Sequence, residues 1–189
     1  MTRALAADET GEEAAEIQFY LGIIDRPGVP DIPPEASAAM DRAEALVNSG
    51  QIVEAVEELE EAARLAPLSG EPIRRLALVR REMGLTEESI QLMRQALRLD
   101  PTLDGGHFML GVFLSESGQH DEAIQQYEAE LRVNPDSRSA HLNLALTYNF
   151  YAGNPNLAAY HYRRYRALGG EPVAECEALL RDLGGAGGS

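Results

Sequence analysis

The residues of this 189-residue chain with chemistry to offer are four histidines, one cysteine and a set of cations that are all arginine. His107 and His141 stand 34 residues apart. In a repeating fold that spacing stacks one above the other, and two neighbouring imidazoles can share a metal, whereas semi-buried packing is the ordinary role of the same residues. His161 lies in Tyr160-His161-Tyr162-Arg163-Arg164-Tyr165-Arg166. Rings and guanidinium groups in such a run can stack on nucleic-acid bases. The same alternation also fits a core stripe with a wet arginine face near a helix C-terminus, where cations are favoured. Arg74, Arg75, Arg80 and Arg81 could hold an acidic segment by charge-assisted bonds, or pair internally with Glu71, Glu82 and Glu87. Cys176 is alone, so no internal disulfide or clustered thiolate site exists, and it reads as a buried, inert thiol. No phosphate loop, nucleotide fingerprint, haem-attachment pair or paired-histidine zinc motif is present. The reading is therefore of a chain that is not an enzyme, with no catalytic residues, cofactor or metal.

Charge narrows the partners. With 31 acidic against 16 basic residues the formal charge is −15, which argues against nucleic acid or an anionic membrane surface. A solvated acidic surface is the plain reading. No run approaches the roughly 18 apolar residues that cross a bilayer. The opening residues lack the apolar stretch of a signal peptide, so the expectation is cytoplasmic. Ala4-Leu5-Ala6 resembles the small-residue end of such a peptide, and an exported origin stays open if the chain has been trimmed.

The elements that would position these side chains come from a repeat. Pro67, Pro101 and Pro135 close similar phrases 34 residues apart, and Gly50, Gly84 and Gly118 stand seventeen residues before them. Small residues recur at the same period, as Ala43, Ala77, Gly111 and Ala145 and as Ala55, Ser89 and Ala123. A fixed period of this length is the mark of a solenoid, because each unit exposes an apolar face that its neighbour must cover. Small residues sit where two helices approach closely, and Leu46, Leu114 and Tyr148 are expected to fill the space between paired helices. Val53, Val56, Leu59, Ala62 and Ala63 are expected on the packing face of the second helix, and Thr86 as the cap of the fourth. Arg42 and Arg80 stand at packing positions, the first with no preceding repeat to cover it and the second burying only its stem. Glu130 replaces a small residue without an evident reason.

These residues resemble the tetratricopeptide repeat, a helix-turn-helix unit of the same period. The resemblance covers residues 36–168 in four copies and implies an all-α, right-handed α-solenoid. Domain limits follow as an N-terminal arm over 1–35 with a short helix at 11–24, an array over 36–183 that ends in a capping helix, and a flexible tail over 184–189. The arm carries Ile17, Phe19, Tyr20, Leu21, Ile23 and Ile24, an apolar run that water does not favour.

In the family resembled, the first helix of each repeat lines a concave groove. Carried onto this chain, the groove presents Met40, Arg74, Arg75, Leu78, Phe108, Met109, Val112, Leu142, Asn143, Leu146, Asn149 and Phe150, charged in its first half and apolar in its second. The two-carboxylate clamp of some relatives is poorly matched, since Met40, Glu44, Gly105 and Met109 stand where its polar and basic residues belong. The expectation is a protein–protein adaptor or scaffold that captures a peptide or helix, gated by its own arm. The alternative is a structural accessory subunit of a larger, membrane-associated or soluble assembly, anchored by that arm, with self-association open.

Overall fold

The computed structural model describes residues 31–185 and places nine helices among them, with no strand. The short helix expected at 11–24 and the apolar arm residues Ile17 to Ile24 lie outside the described residues. From Ile32 onward the described chain forms one packed unit. The helices are α1 (Pro34–Asn48), α2 (Ile52–Leu65), α3 (Glu71–Glu82), α4 (Thr86–Leu99), α5 (Gly106–Glu116), α6 (His120–Val133), α7 (Arg138–Phe150), α8 (Pro155–Ala167) and α9 (Ala174–Gly185). They pair as hairpins α1–α2, α3–α4, α5–α6 and α7–α8; each second helix packs on the next first helix, and α9 packs on α8.

The turn inside each hairpin has a chemical cause. Gly50, Gly84 and Gly118 take φ of 78°, 80° and 82°, the left-handed region that only glycine enters without strain. There the amide of the following residue, Gln51, Leu85 or Gln119, donates back to the carbonyl of Leu46, Arg80 or Leu114 at 2.8–3.0 Å. These bonds satisfy carbonyls that a helix end leaves bare. The fourth turn is a residue longer and closes instead with the amide of Asn154 on Tyr148 O at 2.9 Å. The Asn154 side chain accepts from the Leu157 amide, as Ser137 does from Ala140 at the start of α7.

Ala43, Ala77 and Ala145 are buried as their recurrence predicts, and so are Ala55, Ser89 and Ala123. Gly111 is the extreme case, because a Cβ there would meet Tyr127 Cε1 at 2.5 Å. Three expectations need correction. Val53 is 64% exposed, since it shares the outward register of Glu87 and Asp121 rather than the packing face. Thr86 is the first helical residue of α4 and caps nothing with its side chain; Leu85 holds the cap position. Leu46 is only half-buried, whereas Leu114 and Tyr148 are buried as expected.

The odd charges resolve. Arg42 replaces leucines that are buried at Leu76, Leu110 and Leu144; with no helix before α1 among the described residues, it stays in water and pairs with Glu58 at 2.7 Å. Arg80 reaches Glu60 at 3.1 Å and Glu88 at 3.9 Å from a largely covered stem. Glu130 is buried because its Oε2 accepts the Phe108 amide at 3.2 Å, capping the start of α5 from α6.

The Gly111–Tyr127 contact makes a direct test. Gly111→Ala should cost about 1–3 kcal/mol by overpacking. Repeat one carries Ala43 with Leu59 at the same two positions, so Gly111→Ala/Tyr127→Leu should recover part of that loss. Thermal unfolding followed by circular dichroism reads both; purely additive losses would mean the two side chains do not share the space.

Candidate interaction groove

The first helices of the hairpins form one layer, in which α1 touches α3 directly. Arginines of α3 tie this layer together. Arg75 Nη1 lies 3.5 Å from Glu44 on α1, and Arg74 donates to Met109 Sδ on α5 at 3.9 Å. Arg81 grips Glu116 on α5 with both its Nε, at 2.7 Å, and its Nη2, and its guanidinium sits 5.5 Å from the centre of the Phe113 ring. Arg74 and Arg75 also close on Glu71 at 2.7 Å each. Burial pushes the Glu71 carboxyl up, but the hydrogen bonds from Arg74 and Arg75 outweigh it and hold the group below its ordinary range. The arginine cluster is thus internally paired. Its partners are Glu71, Glu44, Glu60, Glu88 and Glu116; Glu82 and Glu87, which the sequence offered, make none of these ion pairs.

Between α1 and α3 a cleft of about 300 Å³ opens, with Met40, Ala43, Val47, Leu59, Leu78 and Val79 along its apolar wall and Glu44, Arg74, Arg75 and Glu82 at its polar edge. Four residues expected in the groove, Met40, Arg74, Arg75 and Leu78, meet there. Met40 lies deeper than its spacing implied, at 4% exposure, and belongs to the core. On α5, Phe108, Met109 and Val112 are half-buried against the main core, and Phe108 tilts on Tyr127 with ring centres 6.0 Å apart. On α7, Leu142, Leu146, Asn143 and Asn149 are half-buried and Phe150 is 56% exposed. Asn143 spends one amide hydrogen on Ser139 O at 2.9 Å. Glu116 and Val47 were not foreseen. Glu116 was within reach, since the Arg81–Glu116 and Arg74–Met109 contacts both span 35 residues, one repeat plus one.

The histidines do not meet as their spacing suggested. His107 Nδ1 bonds Gln126 Oε1 at 2.9 Å, and His141 Nδ1 bonds His161 Nδ1 at 3.0 Å. Allowing for the longer fourth turn, Gln126 and His161 hold the same repeat position, so each histidine of a first helix turns to its own second helix. His141 Nε2 donates to Pro135 O at 3.2 Å. Its Nδ1 is therefore the acceptor, and His161 supplies the Nδ1 proton. No group of three or more metal-ligating side chains occurs among the described residues. Tyr162 is buried while Arg163, Arg164 and Arg166 are wet, so this run forms a core stripe with an arginine face. Cys176, on α9, is fully buried in one cluster with Ala145 and Tyr162, and burial pushes its thiol up.

The sequence pattern described as Tetratricopeptide repeat matches residues 40–104 and 108–172. The chain belongs to this family. No curated protein matches it. Among solved structures, the tetratricopeptide array resembles a protein titled MamA (TM-score 0.65, 18% identity, covering 89% of this chain and 95% of that one). It also resembles MamA 41-end from Desulfovibrio magneticus RS-1 (0.65, 19%, 72% and 77%) and a tetratricopeptide repeat protein from Parabacteroides merdae ATCC 43184 (0.71, 20%, 82% and 62%). Likenesses at such identities establish the fold.

The imidazole pair sets a pH dependence. Burial lowers the His161 pKa to about 4 and, in direction, that of His141. Both groups fold neutral, so the unfolded chain binds more protons, and stability falls as pH drops from the ordinary 6.5 toward 4. For His161 the effect is on the order of 3 kcal/mol at full development. His161→Gln, which copies the third repeat, should flatten denaturant-midpoint stability between pH 7 and 5 relative to the parent; an unchanged slope would exclude the pair as its source.

Proposed function

We propose that the inner layer of first helices is the docking groove of a protein–protein adaptor, and that it captures a peptide or helix of its partner. Tetratricopeptide repeats are protein-interaction modules, which supports the class of activity. The observation that carries the site is the apolar row on α5 and α7. Phe108, Met109, Val112, Leu142 and Leu146 are half-buried and Phe150 is exposed, and none of these six belongs to the fully buried core. Apolar surface left in water by a fold that has already closed its core is what a partner can cover.

The mechanism is preorganisation. The helices are fixed by hairpin packing and by the arginine bridges from α3, so the groove loses little entropy when a partner binds. Affinity comes from burying the apolar row, and register from Asn143 and Asn149 between its members. The arginines of the first half contribute less, because each would have to leave Glu71, Glu44 or Glu116 to serve a ligand. Residues 17–24 are proposed as the groove's own competitor, displaced when the partner arrives. This rests on two apolar surfaces in one chain.

Two measurements check the reading. Met109→Glu/Phe150→Glu, with helix content confirmed by circular dichroism, should reduce capture of the partner at least about tenfold, whereas equal capture moves the site off the inner face. Removing residues 1–30 should raise binding of a dye that fluoresces on apolar surface; an unchanged signal counts against docking of the arm.

A further inference from the structure

The outward faces of the second helices carry opposite charge at the two ends of the array. On α2 the exposed residues include Val53, Glu54, Glu57 and Glu60, and that helix holds five glutamates against one arginine. On α8 they include Leu157, Tyr160, Arg163 and Arg164, and that helix holds no acidic residue. The positions correspond. Allowing for the longer fourth turn, Tyr160, Arg163 and Arg164 occupy the registers of Glu57, Glu60 and Glu61. In a chain of charge −15 a basic outer helix is an exception.

Internal pairing absorbs only part of it. Arg164 reaches Asp136 at 3.4 Å and Arg166 reaches Glu177 at 3.7 Å, but Arg163 makes no ion pair among the described residues. Tyr160, 54% exposed, and Leu157, 39% exposed, flank it. On its own outward face α2 offers Val53 and two glutamates, Glu54 and Glu57, that make no ion pair among the described residues.

We propose that the α8 face of one copy docks on the α2 face of a second copy. Parallel helices shifted by one turn from the equivalent register bring Tyr160 against Val53 and Arg164 against Glu57, with Arg163 beside that pair and Leu157 one turn before Tyr160. A net charge of −15 opposes indiscriminate self-contact. Contact through α8 is the arrangement that reverses the sign locally. The two faces are unlike, so every copy keeps one of each for a further neighbour, and association extends past two copies unless it closes on itself. The inner groove is not used, and an assembly built this way presents several grooves at once.

Sedimentation velocity of the full chain at rising concentration and about 50 mM salt, where exposed charges are little screened, reads the association. Species heavier than one copy are expected, weakening at least about tenfold in apparent affinity at about 500 mM salt. Arg163→Glu/Arg164→Glu should sediment as single copies, and so should Glu54→Arg/Glu57→Arg. An equimolar mixture of these two variants should associate again, because each then supplies the face complementary to the other. Single copies throughout for the parent chain would overturn the proposal. So would mixed variants that fail to associate, or self-association that survives both reversals but disappears on removing residues 1–30. Loss of groove capture in Met109→Glu/Phe150→Glu with association intact would leave this contact standing apart from the groove.

Discussion

Each repeat depends on how closely its two helices can approach. Ala43, Ala77, Gly111 and Ala145 leave room for the facing helix, and Leu59, Met93, Tyr127 and Tyr162 fill that room from the other side. The partner's size varies while the small residue stays small. Where the incoming ring is Tyr127, even a methyl group is excluded. Because the hairpin geometry is set in this way four times over, the first helices fall into one layer and the second helices into another, and the surface chemistry of each layer follows from the register.

Within the inner layer the division is between charge already used and apolar surface still open. The arginines of α3 are spent on structure, bridging to α1 and α5 and sharing Glu71. The pairs that reach α1 and α5 are solvent-exposed and each worth little, about 0–1 kcal/mol, whereas the two on Glu71 are part-buried. The open surface is on α5 and α7. The buried imidazoles between α7 and α8 belong to the same logic, since a neutral, hydrogen-bonded pair fills an interior position that the third repeat fills with His107 and Gln126.

The fold was legible because its signals are local and periodic. Glycine in the left-handed region and proline after a helix end act within a few residues, and a period of 34 repeats them. Contacts between repeats were harder to read. His107 and His141 share a register, yet each turns to its own hairpin partner, because the second helix of the same repeat is nearer than the next first helix. Arg81 chose Glu116 over the adjacent Glu82, a choice made by side-chain reach across the layer rather than along the helix. Val53 misled because a single apolar residue at an outward register looks like core until the register itself is seen. Glu130 needed the α5 amide beside it before its burial made sense. Of the groove residues, Arg74, Arg75 and Leu78 lie at the cleft between α1 and α3, Met40 sinks into its wall, and the apolar members spread along α5 and α7 without a shared cavity to announce them.

Everything functional rests on the inner face being the one a partner meets. Site-specific photo-crosslinking tests this directly, with the reactive group placed singly at Asn149 on the inner layer and at Gln91 or Gln125 on the outer layer. Adducts with the partner from Asn149, and none from the outer positions, are the predicted result. Adducts from Gln91 or Gln125 alone would put the binding surface on the opposite layer and contradict the account.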